Sequence, residues 1–528
     1  MSTTVSAPAE CIAGGRATLG IELGSTRIKA CLLSDDLTTV LATGSHEWQN
    51  DFVDGVWTYA LDDLWTGLRA AYADLATSVR STFGVQLERV NALGVSAMMH
   101  GYLAFDAAGE LLVPFRTWRN TSTGVAAAEL SSAFGLNIPL RWSIAHLHQA
   151  VLDAEPHVPH IDHVNTLAGY VHEKLTGRRV LGVGDASGVF PIDPAVHDYD
   201  AELLARYDAL SALGRPLREV LPEVLTAGTN AGSLSADGAA LLDPSMALQP
   251  GAAVCPPEGD AGTGMVATNA VAPRTGNVSA GTSIFAMVVL ERPLKNAHHE
   301  LDVVTTPAGD PVAMVHCNNG ASELAAWVGM FERFAEAAGV PLDTDAVYQT
   351  LFTEALAGEA DAGGLLAYNH LAGEPIAGLV EGRPLFVRTP DSQLTLANTM
   401  RAQLYGVFAT LSLGMRVLAS EGVTLDRMYA HGGMFRTAGV AQRFLAAALD
   451  APVGVAETAS EGGAWGIAVL AAYVGSDQSL DAFLNERVFA SGGAAIVAPN
   501  SNDVAGYATY LDRYSAGLDI ERTAVEVL

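Results

Sequence analysis

Short apolar runs alternate with helical segments along this chain, a pattern that predicts an α/β fold. The apolar runs 18–22 and 28–33 are separated by a small, hydroxyl-rich turn, which predicts a β-hairpin. Segment 61–83 carries apolar residues at helical spacing and predicts an amphipathic helix. Short apolar strands are predicted next at 90–96 and 102–105.

A similar order of elements begins again in the second half. Residues 276–283 form another turn of small and hydroxyl residues before an apolar strand, 284–290. Long helical segments follow at 396–418 and 438–449. Two hydroxyl-glycine turns, one near the start of each half, predict an internal duplication of an α/β unit.

The length of 528 residues also favours two domains, because a single core rarely grows beyond about 250–300 residues. The boundary should fall near residues 265–275. We therefore predict an N-terminal domain over 17–268 and a C-terminal domain over 269–528. The C-terminal domain should end in a tail of mixed character after about residue 475.

The formal net charge of −29 argues against two classes of partner. A field of that sign repels nucleic acid backbones and anionic membrane surfaces. No run approaches the roughly 18 apolar residues of a membrane span, and the longest, 464–474, is interpreted as a buried helix. We expect no nucleic acid and no membrane partner, and any anionic cofactor must be held by local dipoles and a metal ion.

The four cysteines are scattered without the spacing of a metal site. The first sixteen residues lack the basic start and the apolar stretch of a signal peptide. Both features indicate a reduced, cytoplasmic protein. A homodimer stays open.

The two hydroxyl-glycine turns have a composition suited to binding phosphate. Backbone N–H groups in tight turns of small residues can direct several donors at one anion. Turns of this kind also simply connect strands, and neither fits the G-x-x-x-x-G-K-[ST] phosphate loop. The candidate phosphate-binding residues are Gly24, Ser25 and Thr26 with the following Lys29, and Gly281, Thr282 and Ser283.

A third glycine pair, Gly432 and Gly433, follows a short strand at 428–430. Glycine at such a junction lets a flat ring approach the backbone, although a helix-entry turn explains the same residues. The glycine-rich stretch 461–466 either supports close helix packing or lines a nucleotide cleft.

Two acids are placed for phosphoryl transfer. Asp260 lies among glycines just before the predicted boundary, where it could face an interdomain cleft and take a proton from an attacking hydroxyl. The alternative is that Asp260 caps the following helix. Glu22 ends the first strand at the phosphate turn, where a carboxylate could hold Mg²⁺ through water.

Two segments, one around Met99 and one around Trp118, each follow a strand of the first half. Both have the composition of a polyol pocket, in which directional hydrogen bonds accompany an apolar wall. Trp142 and His146 lie on a predicted helix and are interpreted as packing residues. Residues 184–187 either shape a loop beside the pocket or form a turn. The candidate substrate-binding residues are Met99, His100, Trp118, Arg119, Asn120 and Asp260.

From about residue 18 to 475 the chain resembles the FGGY carbohydrate kinases, and within them the ketopentose kinases (xylulokinase and L-ribulokinase). The order of motifs carries the resemblance more than any single motif does. The matching segments are 19–29 (LGIELGSTRIK), 94–101 (GVSAMMHG), 118–121 (WRNT), 184–187 (GDAS), 259–260 (GD), 279–283 (SAGTS) and 432–433 (GG).

The resemblance implies a two-domain, actin-like (ribonuclease-H-like) α/β fold with ATP and sugar meeting in an interdomain cleft. It implies Asp260 as the general base, Met99 and His100 at the sugar, and Mg²⁺ bound with ATP. Glu22 and Asp260 would hold the metal ion through water. Domain closure would protect ATP from hydrolysis before the sugar binds.

The chain departs from the family pattern at three places. Glu22 stands where Asp is usual, which shifts the metal ion or its water. Ala261 replaces the Asn that commonly follows the catalytic Asp and that xylulokinases use near the sugar. Residues 434–436 (MFR) replace small residues after the adenosine glycines and narrow the base pocket.

The acceptor is therefore left between D-xylulose and L-ribulose. L-rhamnulose, gluconate, erythritol and glycerol are alternatives within the kinases. A different class is a non-kinase actin-like ATPase or a sugar-sensing repressor on the same fold. A repressor should carry a basic helix-turn-helix region, and the sequence has none.

Overall fold

The computed structural model describes residues 7–455, 462–490 and 495–528. Strands and helices alternate through its first half. The strands there are β1 (Thr18–Leu23), β2 (Arg27–Leu33), β3 (Val40–Glu47), β4 (Asp51–Val53), β5 (Val56–Thr58), β6 (Ala92–Ala97), β7 (Leu103–Phe105), β8 (His163–Asn165), β9 (Val180–Gly182), β10 (Ile192–Asp193), β11 (Asp198–Tyr199), β12 (Glu223–Leu225), β13 (Ala253–Val254) and β14 (Glu258–Gly259). The helices are α1 (Pro8–Ala13), α2 (Leu61–Phe83), α3 (Gly124–Phe134), α4 (Ser143–Leu152), α5 (Leu167–Thr176), α6 (Val183–Ala186), α7 (Ala201–Leu210), α8 (Ala236–Leu242) and α9 (Asp260–Ala267).

The second half continues the alternation and ends in helices. Its strands are β15 (Thr275–Ala280), β16 (Ile284–Val289), β17 (Leu301–Thr305), β18 (Pro311–Cys317), β19 (Leu366–Tyr368), β20 (Leu385–Val387), β21 (Arg427–His431), β22 (Val453–Val455) and β23 (Ala495–Val497). Its helices are α10 (Ser322–Ala337), α11 (Thr344–Ala355), α12 (Leu396–Ser420), α13 (Val440–Leu449), α14 (Gly462–Tyr473), α15 (Leu480–Phe483), α16 (Ser501–Ala516) and α17 (Leu518–Val527). The predicted α/β class is confirmed.

The chain divides into two compact units. The first comprises residues 1–271 together with 303–312 and 460–492, and the second comprises 272–302, 313–459 and 493–528. The sequence-based domain bounds, 17–268 and 269–528, did not assign the two returning segments to the first unit, and they stay a prediction.

Each unit contains a sheet with the same central arrangement. In the first sheet, of order β13-β6-β1-β2-β3, β1 pairs antiparallel with β2 and parallel with β6. In the second, of order β17-β18-β16-β15-β21-β22-β23, β15 pairs antiparallel with β16 and parallel with β21. The shared hairpin and parallel neighbour agree with the predicted internal duplication.

Helix α14 packs against the first sheet at very short range. An ideal Cβ on Gly20 of β1 would lie 2.0 Å from the carbonyl oxygen of Ala464. One on Gly466 of α14 would lie 2.2 Å from the carbonyl oxygen of Thr263 in α9. The glycines therefore let α14 contact both β1 and α9, and the prediction of a buried helix at 464–474 is confirmed. Of the stretch 461–466, residue 461 lies outside the described residues.

Helix α12 forms the centre of the second unit. It has the length and hydropathy of a membrane span, but 72% of its apolar window is buried within the protein. A core helix passes the same composition test, and burial of this extent is that of a core helix.

The C-terminal segment differs from the predicted tail of mixed character. Strand β23 pairs with β22, and helix α16 contributes Tyr507, Tyr510 and Tyr514 to the core of the second unit. Buried Arg401 of α12 pairs with Asp503 of α16. Residues 495–528 are thus an integral part of the fold, because their aromatic face is buried in the core of the second unit.

Candidate functional site

In the first candidate phosphate turn, residues 24–26, every carbonyl group accepts a hydrogen bond from the protein. Its N–H at Gly24 donates to the Arg27 carbonyl at 3.0 Å. The Gly24 carbonyl accepts from Trp48 Nε1 at 2.7 Å, and the Ser25 carbonyl accepts from the Tyr59 hydroxyl at 2.7 Å. The carbonyl of Thr26 accepts from the Trp48 N–H at 3.1 Å. All three carbonyl groups therefore face protein donors.

The second turn is built in the same way. The Gly281 carbonyl accepts from the Ala321 N–H at 2.8 Å, and the Thr282 carbonyl accepts from the Gly320 N–H at 2.7 Å. The Ser283 carbonyl accepts from the Gly281 N–H at 2.9 Å. When all the carbonyl oxygens of a turn are hydrogen-bonded within the protein, they repel a bound anion less. The hydroxyls and the remaining N–H groups of the turn then stay available to bind that anion.

Gly432 and Gly433 lie beside this second turn. Gly432 has φ 120°, and an ideal Cβ on it would lie 2.0 Å from the carbonyl oxygen of Ala280. Glycine is therefore required there on both grounds. Gly433, Gly281 and Thr282 line one cavity of about 720 Å³ in the second unit, which is the size range of small-ligand pockets.

One face of α11 completes that cavity and was missed by sequence reasoning. Asp345, Tyr348, Gln349 and Phe352 line it. Their spacing of three, four and seven residues from Asp345 is that of one helix face. This spacing was the available signal, but nothing in the sequence indicated that the face points to Gly281.

Asp260 is the first residue of α9, and in the first unit it meets the Met99 segment. Its Oδ1 accepts from the Met99 N–H at 3.1 Å. Strand pairing of Gly259 with Ala97 brings the two segments together. Asp260 is exposed, but surrounding protein atoms desolvate its carboxylate and raise its pKa, against the lowering effect of the Met99 and Ala261 N–H groups.

Glu22 lies in a row of polar residues that crosses four strands. Strand register places Lys29, Glu22, Ser96 and Glu258 side by side. Burial raises the pKa of Glu22 to about 7; Lys29 and the N–H groups of Ala464 and Gly463 oppose the shift, and Asp260 adds to it. The Glu22 carboxylate therefore lies against the start of α14, where an ideal Cβ on Gly463 would lie 2.5 Å from its Oε1, and feels the charge of Asp260.

Glu258 of this row forms a second acid pair with Asp185. Glu258 accepts from the Asp185 N–H at 2.9 Å and the Gly184 N–H at 3.4 Å. Thr166 donates to Asp185 Oδ2 at 2.6 Å. Burial raises the pKa of Asp185 to about 7 and that of Glu258 well above its usual range. Sequence reasoning gave neither acid a role, since their burial depends on residues far away in the chain.

His100 is buried in a strained backbone position beside the Asp260 segment. Its φ is 71°, and its Nδ1 lies 3.4 Å from the Gly188 carbonyl oxygen. An ideal Cβ on Gly188 would lie 2.5 Å from that nitrogen, so glycine is needed to seat the imidazole. Trp142 stacks on the His100 ring with centroids 6.4 Å apart. Trp142 and His146 are both buried, as expected of packing residues.

The tryptophan segment divides into an exposed and a buried part. Trp118 is 38% exposed, and the Arg119 guanidinium lies 4.0 Å from the centroid of the Trp57 ring. The Asn120 amide is buried, accepting from the Trp57 N–H at 2.8 Å and donating to the Trp57 carbonyl at 2.8 Å. Asn120 therefore anchors β5 to this segment, and sugar contacts by these three residues stay a prediction.

The described residues contain no group of three or more His, Cys, Asp or Glu side chains arranged to hold a metal ion. Exposed Asp260 offers one carboxylate, while the Glu22 carboxylate lies against the start of α14. This donor set fits Mg²⁺ that arrives with a nucleotide and keeps most of its waters, as is usual for that ion.

Comparison with known proteins adds independent information. Residues 17–245 match the N-terminal domain, and residues 276–474 the C-terminal domain, of the FGGY family of carbohydrate kinases. No curated protein sequence matches this chain.

Solved structures show the same two-domain α/β fold. The chain is similar to the xylulose kinase of Rhodospirillum rubrum, with 23% identity and a TM-score of 0.77 over 95% of this chain and 98% of that one. The gluconate kinase of Lactobacillus acidophilus is 17% identical, with a TM-score of 0.77 over 95% of this chain and 98% of that one. The glycerol kinase of Plasmodium falciparum, solved with ADP, is 13% identical, with a TM-score of 0.74 over 96% of this chain and 98% of that one. Because the two family domains cover most of its length, this chain belongs to the FGGY family of carbohydrate kinases and is a sugar kinase.

Proposed function

We propose that this sugar kinase transfers the γ-phosphoryl group of ATP to a ketopentose, D-xylulose or L-ribulose, with Asp260 as the general base. The hydrogen bond from the Met99 N–H to Asp260 Oδ1 at 3.1 Å carries the proposal. It joins the acid to the segment that resembles the sugar-binding segment of xylulokinases. A hydroxyl bound beside Met99 and His100 would therefore lie within reach of a carboxylate.

Asp260 is suited to accept the hydroxyl proton. Desolvation raises its pKa, so its carboxylate is a stronger base than one in water, while the Met99 and Ala261 N–H groups keep part of the anionic character. General bases of this kind orient and deprotonate an attacking hydroxyl in phosphoryl transfer. Trp118 and Arg119 are proposed to contact the sugar, and Asn120 to hold their segment in place.

The nucleotide is proposed to bind at the second unit. Gly281, Thr282 and Ser283 would receive phosphate oxygens, and Gly432 and Gly433 would border the nucleoside. Three of these residues, Gly281, Thr282 and Gly433, line the cavity of the second unit. Gly24, Ser25, Thr26 and Lys29 would contact the transferred phosphoryl group from the first unit. Mg²⁺, held through water by Asp260 and Glu22, would neutralise charge on the phosphates.

The experiment is a measurement of ADP release from Mg·ATP with a panel of acceptors against a blank without sugar. The panel contains D-xylulose, L-ribulose, L-rhamnulose, gluconate, erythritol and glycerol, because relatives of similar fold include gluconate and glycerol kinases. Strong stimulation by one ketopentose, with a phosphorylated sugar as product, supports the proposal. Stimulation only by gluconate or by glycerol would contradict it and name the acceptor instead.

A further inference from the structure

The cavity of the second unit carries two opposite charges that the proposed catalytic groups do not use. Asp345 and Arg436 both line it and both are exposed. Neither side chain forms an ion pair or hydrogen bond with another residue in the described ranges. An unpaired carboxylate and an unpaired guanidinium on one cavity are groups available to a ligand.

The position of the phosphate turn orients a nucleotide in this cavity. Gly281 and Thr282 are fixed to the start of α10 through Ala321 and Gly320. The N-terminus of a helix and the N–H groups of a tight turn both attract anions. The phosphates are therefore expected at this end.

The carboxylate of Asp345 lines the same cavity from α11. Asp345 precedes Phe352 by two helical turns on the lining face of α11, a distance of about 10 Å at 1.5 Å per residue. Phe352 is fully buried, and Asp345 lies at the exposed end of the face. Because a carboxylate repels phosphate, the base rather than the phosphates should lie beside Asp345.

We propose that Asp345 and Arg436 select the nucleobase, with Asp345 accepting a hydrogen bond from the exocyclic 6-amino group of a purine and Arg436 donating to its ring N7. Half-buried Tyr348 lines the same cavity, and its ring would pack against the base. The proposal deepens the proposed function, on which it rests, by assigning the residues that choose the nucleotide.

The chemistry predicts which nucleotides are discriminated. Adenine presents a 6-amino donor beside the N7 acceptor, whereas a 6-oxo purine presents two acceptors there. An ionised Asp345 can only accept hydrogen bonds, so it favours ATP and opposes the 6-oxygen of ITP. Arg436 can donate to N7 of either base, so it should strengthen the binding of both ATP and ITP.

The experiment is calorimetric measurement of ATP, ITP and pyrophosphate binding to the full chain and to Asp345→Asn and Arg436→Ala. Asp345→Asn can donate to a 6-oxygen, so the ratio of ATP to ITP affinity should fall at least about tenfold. Arg436→Ala should weaken ATP and ITP alike, by about five- to tenfold, and leave pyrophosphate binding unchanged. Arg333→Ala and Asp519→Asn, both exposed and outside the cavity, are the charge-matched controls.

Two results would overturn the proposal. One is an unchanged ATP to ITP ratio in Asp345→Asn; the other is a loss of pyrophosphate affinity in Arg436→Ala, which would make Arg436 a phosphate contact. Binding is measured without any sugar, so a failure here is separate from a failure of the ketopentose assignment. The ketopentose assignment is tested only by the acceptor panel, and its result does not depend on the ratio of ATP to ITP affinity.

Discussion

The backbone N–H of Asp185 donates a hydrogen bond to Oε2 of Glu258 at 2.9 Å, and both side chains are at most 1% exposed. Glu258 thereby fixes the loop around Gly184 that lies under the Asp260 segment. Two glycines make this possible, since an ideal Cβ on Gly182 or Gly184 would lie 2.2 or 2.4 Å from the Glu258 carboxylate.

We expect Glu258→Ala to lower the free energy of unfolding by about 2–4 kcal/mol, because it leaves buried N–H groups unpaired and opens a cavity. Glu258→Gln keeps the volume and one acceptor, so its loss should be clearly smaller. Urea unfolding measures both. Glu219→Ala, on an exposed side chain, is the control and should change stability by less than about 0.5 kcal/mol. Equal stability of Glu258→Ala and the control would disprove this role.

The contact between β1 and α14 gives a second prediction. Gly20→Ala places a methyl group where Ala464 O and Ala468 N already lie, within 2.0 and 2.7 Å. Overpacking of this kind typically costs about 1–3 kcal/mol, and here α14 must also move from Glu22. We expect a lower midpoint of thermal unfolding together with reduced turnover.

Gly329→Ala is the matched control for this prediction. Gly329 lies inside α10, and an added Cβ meets nothing within 4 Å. Alanine should stabilise the helix there by up to about 1 kcal/mol. If the two alanine variants changed stability in the same direction, close packing at Gly20 would not be the cause.

Asp260→Asn tests the proposed base. The amide keeps the size of the side chain and can still accept from the Met99 N–H, so the fold and nucleotide affinity should be retained. Loss of a general base typically lowers kcat by about 10²–10⁴-fold. Asp237→Asn, in the first turn of α8, is a control that should keep full activity. A kcat of Asp260→Asn near that of the wild type would contradict the assignment of Asp260 as the general base.

Buried His146 should make stability depend on pH. Burial lowers its pKa to about 3, and neither ring nitrogen has a hydrogen-bond partner within the part of the chain that the structure describes. The unfolded chain takes up the proton near pH 6.5. The stabilising contribution of neutral His146 is therefore complete above about pH 6.5 and is lost as the pH falls toward 3, by up to about 1.4 kcal/mol per pH unit.

Urea unfolding of wild type and His146→Asn between pH 4.5 and 7.5 measures this effect. The variant should show a slope of unfolding free energy against pH that is smaller by about 1 kcal/mol per unit below pH 6.5. His299→Asn, at a side chain that is 76% exposed, should keep the wild-type slope. Parallel curves for wild type and His146→Asn would contradict the assignment.

Much of the secondary structure was readable from local patterns. The hairpin of β1 and β2, the long helices α2 and α12, and the start of α9 at Asp260 follow from periodicity and glycine placement. Motif order also indicated the carbohydrate kinase family, which the two family-domain matches confirm. These features survive because they depend on residues close together in the chain.

Other features arise only from tertiary contact. Glu258 meets Asp185 across 73 positions, and Met99 meets Asp260 across 161. Glu22 has a raised pKa because α14, more than 400 residues later, buries it. The tail became core helices because their tyrosines pack on α12. Local sequence determines which residues can form a strand, a turn or a helix face, but burial, pairing and protonation are properties of the neighbours that folding brings to each residue.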